Sequence, residues 1–158
     1  MGLGADRFTT EEDVQTVAHH LDACADVAAD HGLTLHYHNH DHEFVDIAGR
    51  TAYERLVEAT DAVMFEVDAG WAGVAGVDPA ALLGNMDGRV THIHAKDMEF
   101  AGRKWVTFGE GDLDIAELVR AARSIDAAWL LFENDFPTDP IAEPSHASII
   151  LDQYTHHL

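Results

Sequence analysis

The chain has 158 residues, and its length fits a single domain, which we predict to span residues 1–158. Apolar residues make up 47 % of the sequence, enough for a buried core, and argue against disorder. No run of apolar residues reaches the roughly 18–20 positions of a membrane helix, and the first residues lack a secretory signal pattern. We therefore expect a cytoplasmic protein. The single cysteine, Cys24, excludes an internal disulfide and a zinc site built from cysteines.

Acidic residues dominate the charge of the chain. Asp and Glu number 29 against 9 Lys and Arg, which gives a formal net charge of −20 with neutral His. Nucleic acids and anionic membrane surfaces both attract basic proteins, so we expect neither as a partner. The acidic residues are spread along the whole chain, and only Lys96 and Lys104 are lysines. This distribution favours a halophilic protein, because high salt screens the repulsion between like charges.

Helical and strand patterns alternate along the chain. Thr10 to Asp13 form a capping-box pattern, and apolar residues at helical spacing follow, so we predict a helix over 11–31 that ends at Gly32. Asp78 before a proline and Asp114 predict two further helix starts. The other predicted helices cover 51–60, 78–85, the segment after Asp114, and 145–157. The predicted strands cover 33–40, 62–68, 89–95 and 128–133.

The alternation of strands and helices indicates βαβ units and a parallel α/β sheet. Each unit takes about 30 residues, the size of one unit of a (β/α)8 TIM barrel. A complete barrel needs about 250 residues. The sequence therefore predicts about four βα units, or half of a barrel.

Polar side chains share one face of each predicted strand, because alternate residues of a strand point the same way. These faces combine His36, His38 and His40; Glu66 and Asp68; His92, His94 and Lys96; and Leu131 and Glu133. The carboxyl ends of barrel strands form the active site, so we expect metal ligands or acid/base groups there. An unpaired carboxylate at the inner end of an apolar strand destabilises the folded state, and a shared cation would compensate its charge. Mixed nitrogen and oxygen ligands suit Mn²⁺, Zn²⁺, Fe²⁺ or Co²⁺ better than Ca²⁺.

Several of these side chains also have a purely structural explanation. Asp68 can cap the turn that follows it, and Glu133 can face solvent at the end of its strand. Lys96 can form a salt bridge to Asp97 or Glu66 in place of a contact to substrate. Trp71 can close the rim of the barrel in place of stacking on a sugar, although we favour stacking. The segment from Gly109 to Asp114 predicts a tight loop over the site that ends in a helix cap.

Five segments resemble the sugar phosphate isomerase/epimerase family, the xylose-isomerase-like TIM barrels that include ketose 3-epimerases and inosose dehydratases. They are YHNHDHEF (37–44), FEVDAGW (65–71), HIHAKDM (92–98), GEGDLD (109–114) and FEND (132–135). The resemblance covers nearly the whole chain from about residue 8 onward. It corresponds to strands five to eight of the family's domain, which is the carboxyl-terminal half.

The resemblance implies a divalent metal with one ligand from each of four strands, at or near His38, Asp68, His94 and Glu133. The family's epimerases have a glutamate where this chain has His38, so His40 or Glu43 is an alternative first ligand. Those epimerases use two metal-bound glutamates as a proton-transfer pair, and one member of that pair is missing here. The His-x-His strand is more similar to the inosose dehydratase branch.

The sequence therefore predicts a metal-dependent sugar, sugar phosphate or cyclitol isomerase or epimerase of carbohydrate metabolism. The metal would bind adjacent hydroxyl and carbonyl oxygens of the substrate and stabilise an enediolate after proton removal next to the carbonyl. Glu133 is the predicted base, with Glu43 or a first-strand histidine opposite it, and Lys96 is predicted to polarise a substrate oxygen. The predicted substrate-binding residues are His40, Glu66, Trp71 and His92.

Two alternatives to this function stay open. An inosose-dehydratase-like lyase acting on a keto-cyclitol also begins with proton removal next to a carbonyl. The other alternative is a half-barrel that is inactive without its missing half. A half-barrel has open sheet edges at 33–40 and 128–133 and exposes apolar residues such as Met64, Trp129 and Leu131. We therefore expect a homodimer, or pairing with a missing amino-terminal half, in place of a stable monomer.

Overall fold

The computed structural model describes residues 3–86 and 88–155, which fall into two compact units, Met1–Phe65 and Glu66–Leu158. A single domain over the whole chain stays a prediction. The helices are α1 (Glu11–Asp30), α2 (Ala52–Ala59), α3 (Ala69–Val74), α4 (Pro79–Gly84), α5 (Ile115–Ser124) and α6 (Glu143–Thr155). The strands are β1 (His36–His38), β2 (Asp46–Ile47), β3 (Arg50–Thr51), β4 (Met64–Asp68), β5 (Val90–Ala95), β6 (Met98–Glu99), β7 (Lys104–Trp105) and β8 (Trp129–Phe132).

Helix α1 of the first unit begins and ends where its sequence predicts. The Thr10 hydroxyl accepts the Asp13 N–H at 3.1 Å, and the Asp13 carboxylate accepts the Thr10 N–H at 2.9 Å. These two bonds pair N–H groups that the first helical turn leaves without partners. The helix ends before Gly32, whose φ of 72° is a conformation that glycine adopts without strain. The predicted helix over 11–31 is therefore confirmed to within one residue.

The core of the first unit is aromatic. Tyr53 of α2 is fully buried, and its ring lies 5.0 Å from that of Phe44 and 5.6 Å from that of Phe65. Strand β1 is shorter than the predicted 33–40, and just before it the Leu35 carbonyl accepts the N–H of Met64, the first residue of β4. Strands β2 and β3 form an antiparallel hairpin that periodicity did not predict, because each has only two residues.

In the sheet of the second unit, the end of β4 lies next to β5, and β5 lies next to β8. Strands β5 and β8 are parallel, with His94 opposite Leu131. Helices α3 and α5 contact β5, and α4 and α6 both contact α5. The strand faces alternate as expected: Ile93 and Ala95 are fully buried, whereas His92 and His94 point the other way and are partly exposed. Apart from the short antiparallel pairs β2–β3 and β6–β7, the strands alternate with helices, as predicted for four βα units.

Some predicted boundaries and exposures differ from the structure. The last helix begins at Glu143, earlier than predicted, while its predicted end at 156–157 lies outside the described residues. Trp129 on β8 is 60 % exposed, as expected for an uncovered strand face. Met64 and Leu131 are only partly exposed. Among the described residues, no helix has the combination of length and apolar character that crossing a bilayer requires.

Candidate metal centre

Asp68 lies at the point where β4 ends and α3 begins. Its side chain is fully buried, and Oδ1 accepts the N–H of Trp71 at 2.9 Å, which caps α3. The other oxygen, Oδ2, faces Nδ1 of His94 at 3.9 Å. The carboxylate therefore serves as a helix cap with one oxygen and faces the candidate site with the other, so the two explanations of Asp68 are compatible.

His94 of β5 lies between two carboxylates. Its Nδ1 is 2.6 Å from Oε2 of Glu133, which directly follows β8, and its Nε2 is 3.0 Å from Oε1 of Glu66. Metal-ligating histidines characteristically have their second ring nitrogen held by a carboxylate, which fixes the ring orientation. Glu66 is placed to do this, while Nδ1 faces Asp68 and Glu133.

The ammonium group of Lys96 is buried among carboxylates. Nζ lies 2.9 Å from Oδ2 of Asp68, 3.0 Å from Oε2 of Glu133 and 3.2 Å from Oδ2 of Asp135. The alternative of a salt bridge therefore holds, but with Asp68, Glu133 and Asp135 in place of the predicted Asp97 or Glu66. Lys96 contacts the same two carboxylate oxygens that face His94, and it balances part of their charge.

Asp97 has a different role from its neighbour Lys96. Its buried carboxylate accepts the N–H groups of Gly109, Gly111 and Leu113 at 2.8–3.1 Å. These three bonds fix the loop between β7 and α5, which ends where Asp114 caps α5 by accepting the N–H of Glu117. The predicted tight loop and its cap are present, and Asp97 holds the loop in place.

The charges of the cluster shift its pKa values. Burial raises the pKa of Glu133, but the contacts to His94 and Lys96 outweigh burial and lower that pKa to about 2. Burial lowers the pKa of His94, but Glu133, Glu66 and Asp68 outweigh it and raise that pKa. Burial also opposes the charge of Lys96, whose pKa is nevertheless raised by Asp68 and Glu133. Glu133 is therefore an ionised carboxylate at neutral pH, and Lys96 is an ammonium ion.

Aromatic rings lie on one side of the ammonium group. Nζ of Lys96 is 5.2 Å from the ring centre of Trp71 and 5.0 Å from that of Trp105, within the range of cation–π attraction. The two indoles meet edge to face at 5.5 Å. Phe136 lies 5.5 Å from Trp105 and is 70 % exposed. These three side chains, Trp71, Trp105 and Phe136, are called the aromatic wall below.

The sequence reasoning missed Asp135, Trp105 and Phe136. Asp135 lies two residues after Glu133, within the FEND segment. If the alternation of the strand is continued past its end, Asp135 falls on the same face as Glu133, and this could have predicted it. Trp105 lies on β7, one of the two-residue strands. Short hairpins give no periodic pattern, so nothing in the sequence pointed to Trp105.

The remaining predicted residues lie within β5 or at and after the end of β1. His92 of β5 is partly buried, and its Nδ1 is 2.9 Å from the Thr91 hydroxyl. His38, His40 and Glu43 belong to the first unit, where Glu43 is fully buried and accepts the N–H of His40 at 3.0 Å. Their roles as first ligand, substrate contact and second base stay predictions.

A family model described as a xylose isomerase-like TIM barrel matches residues 2–149. This chain belongs to the xylose isomerase-like TIM-barrel family. The predicted fold class and family resemblance are therefore confirmed. An inosose dehydratase from Bacillus velezensis is 26 % identical over 179 residues, a match that covers 97 % of this chain and 59 % of that protein.

Solved structures show the same fold. A sugar phosphate isomerase/epimerase from Parabacteroides distasonis superposes with a TM-score of 0.78 at 23 % identity, covering 93 % of this chain and 54 % of that one. A 3-keto-D-glucoside 4-epimerase from E. coli gives a TM-score of 0.69 at 19 % identity, covering 97 % and 56 %. This xylose isomerase-like chain thus spans little more than half the length of these proteins.

The donor set in this xylose isomerase-like unit fits a divalent cation. Ligand atoms of Asp68, His94 and Glu133 lie within 4.8 Å of one another. One imidazole nitrogen and two carboxylate oxygens suit Zn²⁺, Mn²⁺, Fe²⁺ or Co²⁺. The carboxylate of Glu66 on the far ring nitrogen of His94 is the support that such a ligand typically has.

Proposed function

We propose that this chain belongs to a divalent-metal-dependent sugar or cyclitol isomerase or epimerase that removes a proton next to a carbonyl. The arrangement of His94 between Glu66 and Glu133 is the observation that supports it most directly. A charged donor set of this kind, at the carboxyl ends of neighbouring parallel strands, is where enzymes of barrel folds place their chemistry. The names of the family relatives, which include epimerases and a dehydratase, agree with this class of reaction.

Asp68, His94 and Glu133 would hold the cation, with His38 as the predicted fourth ligand. When bound, Zn²⁺, Mn²⁺, Fe²⁺ or Co²⁺ would act as a Lewis acid that makes the proton next to a substrate carbonyl more acidic. Glu133 is the proposed base. Its contacts to His94 and Lys96 both use Oε2, so Oε1 is the oxygen assigned to proton transfer.

Lys96 is proposed to donate a hydrogen bond to a substrate oxygen that gains negative charge. Its raised pKa keeps the amine protonated at neutral pH. Asp68 and Glu133 hold Nζ in one place, and the substrate oxygen would take the N–H that otherwise faces the more exposed Asp135.

The aromatic wall is proposed to pack against the C–H face of a sugar or cyclitol ring. Trp71 was the predicted stacking residue, and Trp105 and Phe136 extend it toward solvent. An aromatic ring can bury apolar surface against the sugar while polar groups lie near its edge. His92, Glu66 and His40 are further proposed polar contacts to substrate hydroxyls.

A dehydratase is the second candidate, and the 26 % identity to an inosose dehydratase is the observation that favours it. Incubation of the Mn²⁺-loaded chain with a keto-inositol distinguishes the two. An epimerase converts it to a product of the same mass, whereas a dehydratase gives a product that has lost one water. If neither product forms from a keto-inositol or a ketohexose, and the chain is folded, metal-loaded and dimeric, both proposals fail.

The chain is also proposed to act in an assembly, either a homodimer or a pair with the rest of the family's barrel. Two observations support this. The chain matches only 54–59 % of the length of related proteins, and Trp129 on β8 is 60 % exposed. Light scattering and unfolding at several concentrations test this. An obligate homodimer shows twice the chain mass and a melting temperature that rises with protein concentration. A cooperative, folded 17 kDa species at low micromolar concentration would contradict it.

A further inference from the structure

Histidines occupy every second position from residue 36 to residue 42 in the first unit. His38 and His40 were singled out as a ligand and a substrate contact, but His42 has no part in the proposed function. It lies in the short 3-10 helix His42–Phe44 that follows β1, next to the buried carboxylate of Glu43. His-rich segments with a nearby carboxylate are typical of transition-metal sites.

Glu43 is a fully buried carboxylate in the first unit. Its Oε1 accepts the O–H of Tyr37 at 2.6 Å, and its Oε2 accepts the N–H of His40 at 3.0 Å. Nε2 of His42 lies 3.5 Å from Oε1. A buried carboxylate is stabilised by nearby positive charge, and a cation bound by Glu43 and His42 would supply it.

The two imidazole rings beside Glu43 are held in place. The rings of His40 and His42 stack at 5.6 Å with an interplanar angle of 17°. His42 also packs against Phe8 at 5.7 Å, and its Nε2 is 3.1 Å from the Leu3 carbonyl oxygen. Such packing reduces the side-chain entropy that a ligand would lose on binding a cation.

We propose that His40, His42 and Glu43 form a transition-metal site of the first unit, in addition to the metal centre at Asp68, His94 and Glu133. One ligand atom from each of His40, His42 and Glu43 lies within 4.8 Å of the others. Bonds of 2.0–2.2 Å to tetrahedral Zn²⁺ place ligand atoms roughly 3.3 Å apart. The three ligand atoms would therefore have to approach one another by up to about 1.5 Å on binding, and water would be the fourth ligand.

A groove of about 510 Å³ in the first unit gives ions access to this site. His40 lines it together with His38, and α1 contributes His20 and Cys24 to the same lining. The cation would fix the chain between β1 and the β2–β3 hairpin. Glu43 is then a ligand with a structural role in place of the predicted proton-transfer role. His40 is likewise a metal ligand in place of the proposed substrate contact.

The test is a Zn²⁺ titration of the metal-free chain by calorimetry, with a competing chelator that suppresses weak binding to surface histidines. The key variant is His42→Phe, because phenylalanine keeps the packing against Phe8 and removes the ligand. We expect two tight Zn²⁺ ions per wild-type chain and one in His42→Phe. His19→Gln, which removes an exposed histidine of α1, is the matched control and keeps both.

A further variant, His94→Ala, separates this site from the metal centre of the proposed function. If wild type binds one ion that His42→Phe loses and His94→Ala keeps, the inference stands and the proposed metal centre fails. If His42→Phe binds as many ions as wild type, or His94→Ala binds none, the inference is overturned. Glu43→Gln, with folding checked by circular dichroism, must also lose one ion.

Discussion

Lys96 illustrates how one buried cation decides the electrostatics of the candidate metal centre. Its ammonium group contacts Asp68 and Glu133, and these carboxylates also face His94. The alternation of β5 predicted that Lys96 shares a face with His94. Its partners were not predictable, because they lie at the ends of two other strands and in a loop.

Replacing Lys96 tests this role. Lys96→Met leaves carboxylates without their buried counter-charge, so we expect the free energy of unfolding of the metal-free protein to fall by about 3 kcal/mol. Lys104→Met is the matched control, because Lys104 is exposed and 4.0 Å from Glu99, and we expect a change within about 0.5 kcal/mol. Urea unfolding with a chelator present measures both. Equal effects of the two substitutions would contradict the assignment.

The lowered pKa of Glu133 predicts a pH dependence. A carboxylate with a folded pKa of about 2 and an ordinary pKa of 4.5 stabilises the fold above pH 4.5 and loses that contribution as pH falls toward 2. Relative to Glu133→Gln, the metal-free wild type should therefore lose about 2 kcal/mol of stability between pH 5 and pH 3. Unfolding of both proteins at pH 5 and pH 3 measures the difference. Parallel stability curves would show that the contacts of Glu133 are not stabilising.

Helix starts are the elements that the sequence predicted best, and their signals are local. Thr10, Asp78 and Asp114 all cap helices as expected, because a capping side chain acts within three residues of its own position. The hairpins β2–β3 and β6–β7 were missed, since two residues give no periodicity. The role of Asp97 also depends on a loop 12 to 16 residues away, a distance that sequence spacing does not reveal.

The loop held by Asp97 predicts the effect of substituting its glycines. A Cβ at Gly111 would collide with Oδ1 of Asp97 and approach the Met98 carbonyl oxygen at 2.8 Å. Gly111→Ala should therefore destabilise the protein by about 1–3 kcal/mol. At Gly84 of α4 an added Cβ meets nothing within 4 Å, so Gly84→Ala should be neutral or slightly stabilising. Thermal unfolding compares them, and a neutral Gly111→Ala would mean that the loop is not fixed by Asp97.

At the scale of the whole molecule, the alternation of strand and helix patterns predicted the fold class. Four βα units follow from the spacing of Val, Ile and Leu segments between helix caps, and the family match agrees. The candidate cluster of Asp68, His94 and Glu133 could be predicted because each residue lies at or next to the carboxyl end of a strand. The aromatic wall was not, because Trp105 and Phe136 lie on a short strand and a loop.

The net charge of −20 predicts a response to salt. Repulsion between acidic side chains is unscreened at low ionic strength, so the melting temperature should rise with added KCl. Most of the rise should occur below 1 M, because the Debye length falls from about 10 Å at 0.1 M to about 3 Å at 1 M. Scanning calorimetry in a KCl series measures it. A melting temperature that stays constant up to multi-molar salt would refute the predicted halophilic adaptation.

The most direct test of the central claim is metal-dependent proton exchange next to a substrate carbonyl. The chain is incubated in D2O with a keto-inositol or a ketohexose, with and without Mn²⁺, and deuterium in the recovered sugar is measured by mass spectrometry. We predict deuterium incorporation by the Mn²⁺-loaded wild type, and none with a chelator or in Glu133→Gln or His94→Ala. Incorporation that is independent of metal and of Glu133, or no incorporation by a folded and metal-loaded wild type, would contradict the account.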